Sequence, residues 1–287
     1  MIRKRSPFPF ETIAAAVAFS PRIEAILCEA HRLAHVHRAR LLLIHIGVKT
    51  VEKQKQLDEL LVRHNFGAIR FEVIWRTGDT VQSILNVCKE NVVDLLIAGA
   101  LERESILKYY IGSISRDICR KAKCSVLMLT EPSIVAKPMR KIIVNGIDHP
   151  KTPFTIETAV YMAKYQKATE MIVVKELNMI AMAMNMADDT SEGEVIRAKQ
   201  EIFEESNTKI ERILNGIDKA NLNIKTKSIT GKLGYSIGNY AATHGANLLV
   251  INSPDSNMNI IDRLFPHDIE YILEDLPCNL LIVHSRQ

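Results

Sequence analysis

The chain has 287 residues, of which 47% are apolar, and a formal charge of +4. That length suits two domains of about 140 residues, and the apolar share is enough to fill a core in each, which excludes general disorder. The densest basic run, Arg3-Lys4-Arg5, is at the N-terminus, and no basic stripe interleaved with aromatic residues follows, so neither nucleic acid nor a membrane is an expected partner.

The best continuous apolar run, Leu41 to Val48, contains His45 and falls far short of the ~18 residues a membrane span needs. Pro7, Pro9 and Glu11 interrupt any secretory apolar region behind the basic start. Five cysteines, an odd count with no CxxC spacing, predict buried free thiols in a reducing compartment, hence a cytoplasmic location.

In chain order, Thr12 to Phe19 reads as a buried strand, and Ser20-Pro21 opens a helix with Ile23, Ile26, Leu27, Ala30, Leu33 and Ala34 on one face. A second buried strand runs from Arg40 to Gly47, and Leu57, Leu60 and Leu61 mark a second helix. Ile69 to Trp75 alternates as a strand near a sheet edge. After Gly78-Asp79 comes a third helix with Val81, Ile84, Leu85 and Cys88, then a strand from Asp94 to Gly99. A helix carrying Ile111, Ile114 and Ile118 and a strand from Cys124 to Thr130 complete the set. Nearly all-apolar strands alternating with helices predict an α/β fold with a doubly wound, open parallel sheet.

The order then repeats. Strands are expected at Lys141 to Ile147, Glu170 to Val174, Asn223 to Thr230, Asn247 to Asn252 and Cys278 to His284. Helices are expected around Ile156 to Ala163, Ser191 to Asp218, Ile237 to Ala241 and Ile269 to Leu273. Val93-Asp94-Leu95-Leu96-Ile97 answers Ala246-Asn247-Leu248-Leu249-Val250, and Cys124 to Leu129 answers Cys278 to Val283. A repeat of roughly 150 residues means duplicated domains, since solenoid units are far shorter. The predicted domains are 1–130 and 139–287, joined by a linker from Glu131 to Pro138. The last strand of each domain would be an open sheet edge, and the two are expected to pair within the chain as an intramolecular pseudo-dimer.

Phe19-Ser20-Pro21, Leu41 to His45, Gly78-Asp79, and above all Ile111-Gly112-Ser113 through Cys124-Ser125-Val126-Leu127 give the first half a resemblance to universal stress protein domains. The second half is similar at Ile143 to Pro150, Gly231, Asn247 to Ile251 and Leu276 to Leu281. It implies two five-stranded sheets in the order 3-2-1-4-5 and a tandem member of the family. It also implies an adenine nucleotide such as ATP as the ligand, protein partners that are not identified, and scope for a further homodimer.

The family's Gly-x2-Gly-x9-Gly-[Ser/Thr] loop lets backbone N–H groups approach phosphates at a helix N-terminus. Here Gly99, Gly112 and Ser113 stand at the first glycine, third glycine and hydroxyl positions, with Phe19 and Ser20 completing the first-half site. Glu102 takes the second glycine's place, and Ala18 that of the family's strand-end aspartate. In the second half Asp148 is the candidate acid, whereas Ser253-Pro254-Asp255-Ser256 to Phe265-Pro266-His267 contains no glycine.

Other patterns carry less. Glu24, Cys28, His31 and His35 line one helix side, but the stripe spans about 16 Å and only neighbours on it could share a metal. Met179, Met182, Met184 and Met186, followed by Asp188-Asp189, offer a lid or an adaptable partner surface. Asp148-His149 with His267 is a conceivable acid/base set lacking a nucleophile, and no hydrolase or P-loop motif is present. The expected function is a non-enzymatic stress-response protein binding one nucleotide in its first half. A nucleotide-free scaffold and a weak ATP hydrolase are the alternatives.

Overall fold

The computed structural model describes residues 8–102, 109–110, 112–177, 197, 204, 207–219, 222–254 and 265–284. Backbone contacts divide the chain into Met1–Pro138 together with Cys278–Gln287, and Met139–Pro277.

The first unit is built on β1 (Thr12–Ala16), β2 (Arg40–Ile46), β3 (Phe71–Arg76), β4 (Leu95–Gly99) and, after a short hairpin of β5 (Leu101–Glu102) and β6 (Tyr109–Tyr110), β7 (Ser125–Leu129). Its helices are α1 (Ile23–His37), α2 (Val51–Arg63), α3 (Thr80–Glu90) and α4 (Ser113–Lys121). The strands run parallel in the order β3-β2-β1-β4-β7, which is the expected 3-2-1-4-5. β1, β2, β4 and β7 are buried almost throughout, whereas the edge strand β3 is largely half-buried. That difference is why the central strands read as continuous apolar runs and β3 alternates.

The second unit carries β8 (Lys141–Asn145), β9 (Glu170–Leu177), β10 (Asn223–Thr230) and β11 (Leu248–Asn252), parallel in the order β10-β9-β8-β11. Its helices are α5 (Thr152–Gln166), α6 (residues 207–215), α7 (Tyr235–Thr243) and α8 (Phe265–Glu274). The final strand, β12 (Asn279–Val283), pairs antiparallel with β7, Leu281 opposite Leu127. The sequence reading assigns residues 278–287 to the second domain. Backbone contacts group them with the first unit, and the β12–β7 pairing contributes to that grouping.

The repeats keep matching local solutions. β1 and α1 have the same lengths and spacing as β8 and α5, so Phe19 corresponds to Asp148 and Arg22 to Lys151. Both helices end on a left-handed residue, Arg38 and Lys167. Asp94 accepts the Thr12 N–H at 2.9 Å, and Asn247, its counterpart, accepts the Lys141 N–H at 2.9 Å. A polar side chain ahead of the fourth strand thus fixes the start of the first strand in each unit.

Candidate functional site

In open parallel sheets, ligands meet the carboxyl ends of the strands where the strand order reverses, here between β1 and β4. Three rings gather at those ends in the first unit. His45 and Trp75 are register partners on β2 and β3, with ring centroids 4.9 Å apart at 75°. Phe19, just past β1, lies 4.8 Å from His45 edge-to-face and 5.9 Å from Trp75 in a stacked orientation. Such geometries suit the ring quadrupoles.

His45 is held from below. Its Nδ1 lies 2.9 Å from the Val17 carbonyl, which can only accept, so Nδ1–H donates to it. Gly47 makes this possible, because its φ is +155° and a Cβ there would lie 2.9 Å from His45 Nε2. Lys53 Nζ stands 5.5 Å from the Phe19 ring centre and Lys49 Nζ 5.9 Å from that of Trp75. Two ammonium groups therefore border an aromatic slab whose Phe19 and Trp75 faces are half-buried.

Beside the slab, Arg22 closes the switch point. Its Nη1 donates to the Ala100 carbonyl at 2.7 Å and its Nη2 to that of Thr130, joining the ends of β4 and β7 to the start of α1. Gly99 has a packing explanation of its own: a Cβ there would lie 3.1 Å from Ile26 Cδ1 of α1. Gly112 is the N-cap residue of α4, with φ −63° and ψ 166°, and the exposed Ser113 begins that helix. Ser20 is exposed, and its carbonyl accepts the Ile23 N–H at 3.0 Å. Phe19, Ser20 and Gly99 thus flank the switch point, while Gly112 and Ser113 form a helix start on the same side of the sheet. The Glu102 side chain lies outside the described residues.

The second unit has rebuilt the same place with charge. Asp148, in the position of Phe19, pairs with Lys209 of α6 at 2.8 Å. That bond, aided by Lys175, holds its carboxyl below the usual range. Asp148, Lys175, Lys209 and Arg212 border one cavity of about 380 Å³. The element match puts Ile147, not Asp148, at the position of Ala18. Lys151 repeats the closure made by Arg22, its Nζ 3.0 Å from the Ser253 carbonyl and 3.1 Å from the Ser253 hydroxyl. His149 Nδ1 accepts the Lys151 N–H at 3.1 Å, a capping role. Residues 255–264 and the side chains of Phe265, Pro266 and His267 lie outside the described residues, as does the methionine-rich stretch 178–187.

The stripe on α1 is spent locally. Glu24 takes His64 Nε2 at 2.7 Å and Arg63 at 3.1 Å, which lower its pKa in that order. His31 packs 4.6 Å from Phe66, and burial pushes the Cys28 thiol up to about 11. Among the described residues no three histidine, cysteine or acidic side chains cluster as metal ligands, and no helix is long and apolar enough to cross a membrane. Of these residues the sequence alone points to Phe19 and not to His45, Trp75 or Arg22. Their signal is positional: each sits at the carboxyl end of a strand or at the first helix start.

Residues 48–130 match the model of the universal stress protein family. That stretch, from α2 through β7, is thus similar to a universal stress protein domain. A functionally unknown protein from Pseudomonas aeruginosa PAO1 superimposes with a TM-score of 0.70 at 17% identity, over 96% of this chain and 92% of its own. A universal stress protein from Archaeoglobus fulgidus DSM 4304 does so with a TM-score of 0.66 at 14% identity, over 96% of this chain and 99% of its own. At these identities the likeness speaks for the fold, and it extends along both halves. No curated protein matches the sequence.

Proposed function

We propose that the chain is a stress-response protein of the universal stress protein type that binds one adenine nucleotide in its first domain and acts as a binding module, not an enzyme. The observation that carries this reading is the slab of Phe19, His45 and Trp75, with Lys53 and Lys49 beside it, at the carboxyl ends of β1, β2 and β3. A purine base gains about 1–3 kcal/mol from stacking on such faces. Phosphates would lie toward Gly112 and Ser113 at the start of α4, a helix N-terminus with no side-chain cap, where anions are favoured. Among the described residues of this site, the groups are rings, ammonium ions, a guanidinium and backbone donors. They suit holding a nucleotide better than activating water. The second domain, with Asp148 in the place of Phe19, lacks the slab and is expected to be silent toward nucleotides.

Trp75 is the only tryptophan in the chain, so its fluorescence reports on this site alone. Titration with ATP, ADP and AMP should quench it saturably and raise the melting temperature, and the purified protein should release nucleotide on denaturation. No quench and no thermal shift at millimolar ligand would sink the proposal. A nucleotide-free scaffold draws on one observation, that Ile26 alone accounts for Gly99.

A further inference from the structure

We infer that Arg22 is the phosphate-reading residue of the first domain, a role that rests on the nucleotide reading above. Arg22 is half-buried, and its described hydrogen bonds go to two neutral carbonyls, Ala100 and Thr130. Among the described residues it has no carboxylate partner. Long cationic side chains withdrawn from water are ordinarily paired, because desolvation of the charge costs more than neutral acceptors return. A guanidinium has five N–H donors in a rigid fork, so two carbonyl bonds anchor it and leave three for another group.

Its position matches that use. Arg22 is the N-cap residue of α1, a helix with no side-chain cap. The positive end of the helix dipole therefore adds to the positive side chain, and both favour an anion there. The anchoring carbonyls lie at the ends of β4 and β7, on the side of the sheet where α4 begins with Gly112 and Ser113. A phosphate between those groups would meet the planar fork in the bidentate manner that guanidinium and phosphate share. Lys151 shows the contrast. It reaches the equivalent loop in the second unit but adds the Ser253 hydroxyl to its carbonyl partners, and that unit supplies charges of its own nearby.

The test compares adenosine, AMP and ADP on the full chain by Trp75 quenching. In the wild type, AMP and ADP should bind at least about tenfold tighter than adenosine, in line with a charge-assisted contact. Arg22→Met should remove that margin and leave adenosine affinity within about twofold. A margin that survives in Arg22→Met overturns the inference while the nucleotide reading stands. Failure of the wild type to bind any of the three overturns both. If Arg22→Met loses its cooperative melt, Arg22→Lys decides: it keeps the charge without the fork, and the margin should fall at least about threefold. An unchanged margin in Arg22→Lys overturns the inference as well.

Discussion

The Glu176 carboxylate stands over the N-terminus of α7, where the Ile237 N–H donates to one oxygen at 2.8 Å and the Gly234 N–H to the other at 3.0 Å. Glu176 is buried near the end of β9 and so supplies from another strand the cap that Asp79 supplies locally for α3, where its Oδ1 accepts the Gln82 N–H at 2.8 Å. A charged acceptor on two otherwise orphaned donors is worth more than a neutral one. Glu176→Ala should therefore destabilise the second unit by about 2–3 kcal/mol, read as a fall in urea midpoint, and Glu176→Gln by less. A change within error for Glu176→Ala would mean water replaces the carboxylate at no cost.

His37 makes stability depend on pH. It is buried on α1 with its ring 5.4 Å from Phe10, and burial, with the Arg32 charge, pushes its pKa down to about 4. The unfolded chain takes up this proton near pH 6.5, but the folded chain does not until near pH 4, so lowering the pH favours unfolding across that window. The contribution is intact well above pH 6.5, has fallen by about 2 kcal/mol at pH 5, and is fully lost only as the pH drops below about 4. His37→Leu should flatten this part of the profile, with equilibrium unfolding at pH 7.5 and pH 5.0 as the measurement. An equal pH loss in that variant would assign the effect elsewhere.

Gly47 should prove the least replaceable residue near the slab. Its φ of +155° disfavours any side chain, and a Cβ would meet His45 Nε2 at 2.9 Å. The ring cannot swing clear, because Val17 holds its far side and Phe19 and Trp75 flank it. Gly47→Ala is expected to cost about 2 kcal/mol and to shift the Trp75 emission, since the displaced imidazole must move against the indole. A stable variant with unchanged emission would show that the loop relaxes outward.

The unequal legibility of the molecule has a physical cause. Strand order follows from contiguous patterns: nearly all-apolar β4 and β11, each after Asp94 or Asn247, announce the same element twice. Gly78 and Gly231, at φ of +113° and +146°, were visible because glycine is nearly obligatory there. The slab was hidden because His45 and Trp75 are ordinary strand residues until the β2–β3 register sets them side by side. Arg22 was hidden for a related reason, since its partners Ala100 and Thr130 are backbone carbonyls, which leave no mark on side-chain identity. The insertion between β9 and β10 also obscured the repeat: β1 and α1 align with β8 and α5 at one displacement, β4 with β11 at a larger one. Asp148 thereby looked like the family's strand-end acid, whereas the helix starts align it with Phe19.

Removal of β12 should harm the first domain twice over. Leu280, Leu281 and Ile282 cover the backbone edge of β7 opposite Met128, Leu127 and Val126, all buried. A chain ending at Pro277 would bare that edge, and unpaired strands template association. Light scattering at matched concentration should rise well above that of the full chain. The second effect reaches the candidate site. Asn279 Oδ1 accepts the Thr130 N–H at 3.0 Å, and the carbonyl of that same Thr130 anchors Arg22. Asn279→Ala keeps the strand but leaves Thr130 less firmly held, at a cost of about 1 kcal/mol. It should also weaken ADP binding more than adenosine binding, as expected if a loosened Thr130 lets the guanidinium drift from its place. Equal weakening of both ligands would separate the strand edge from the phosphate contact and confine the role of Asn279 to stability.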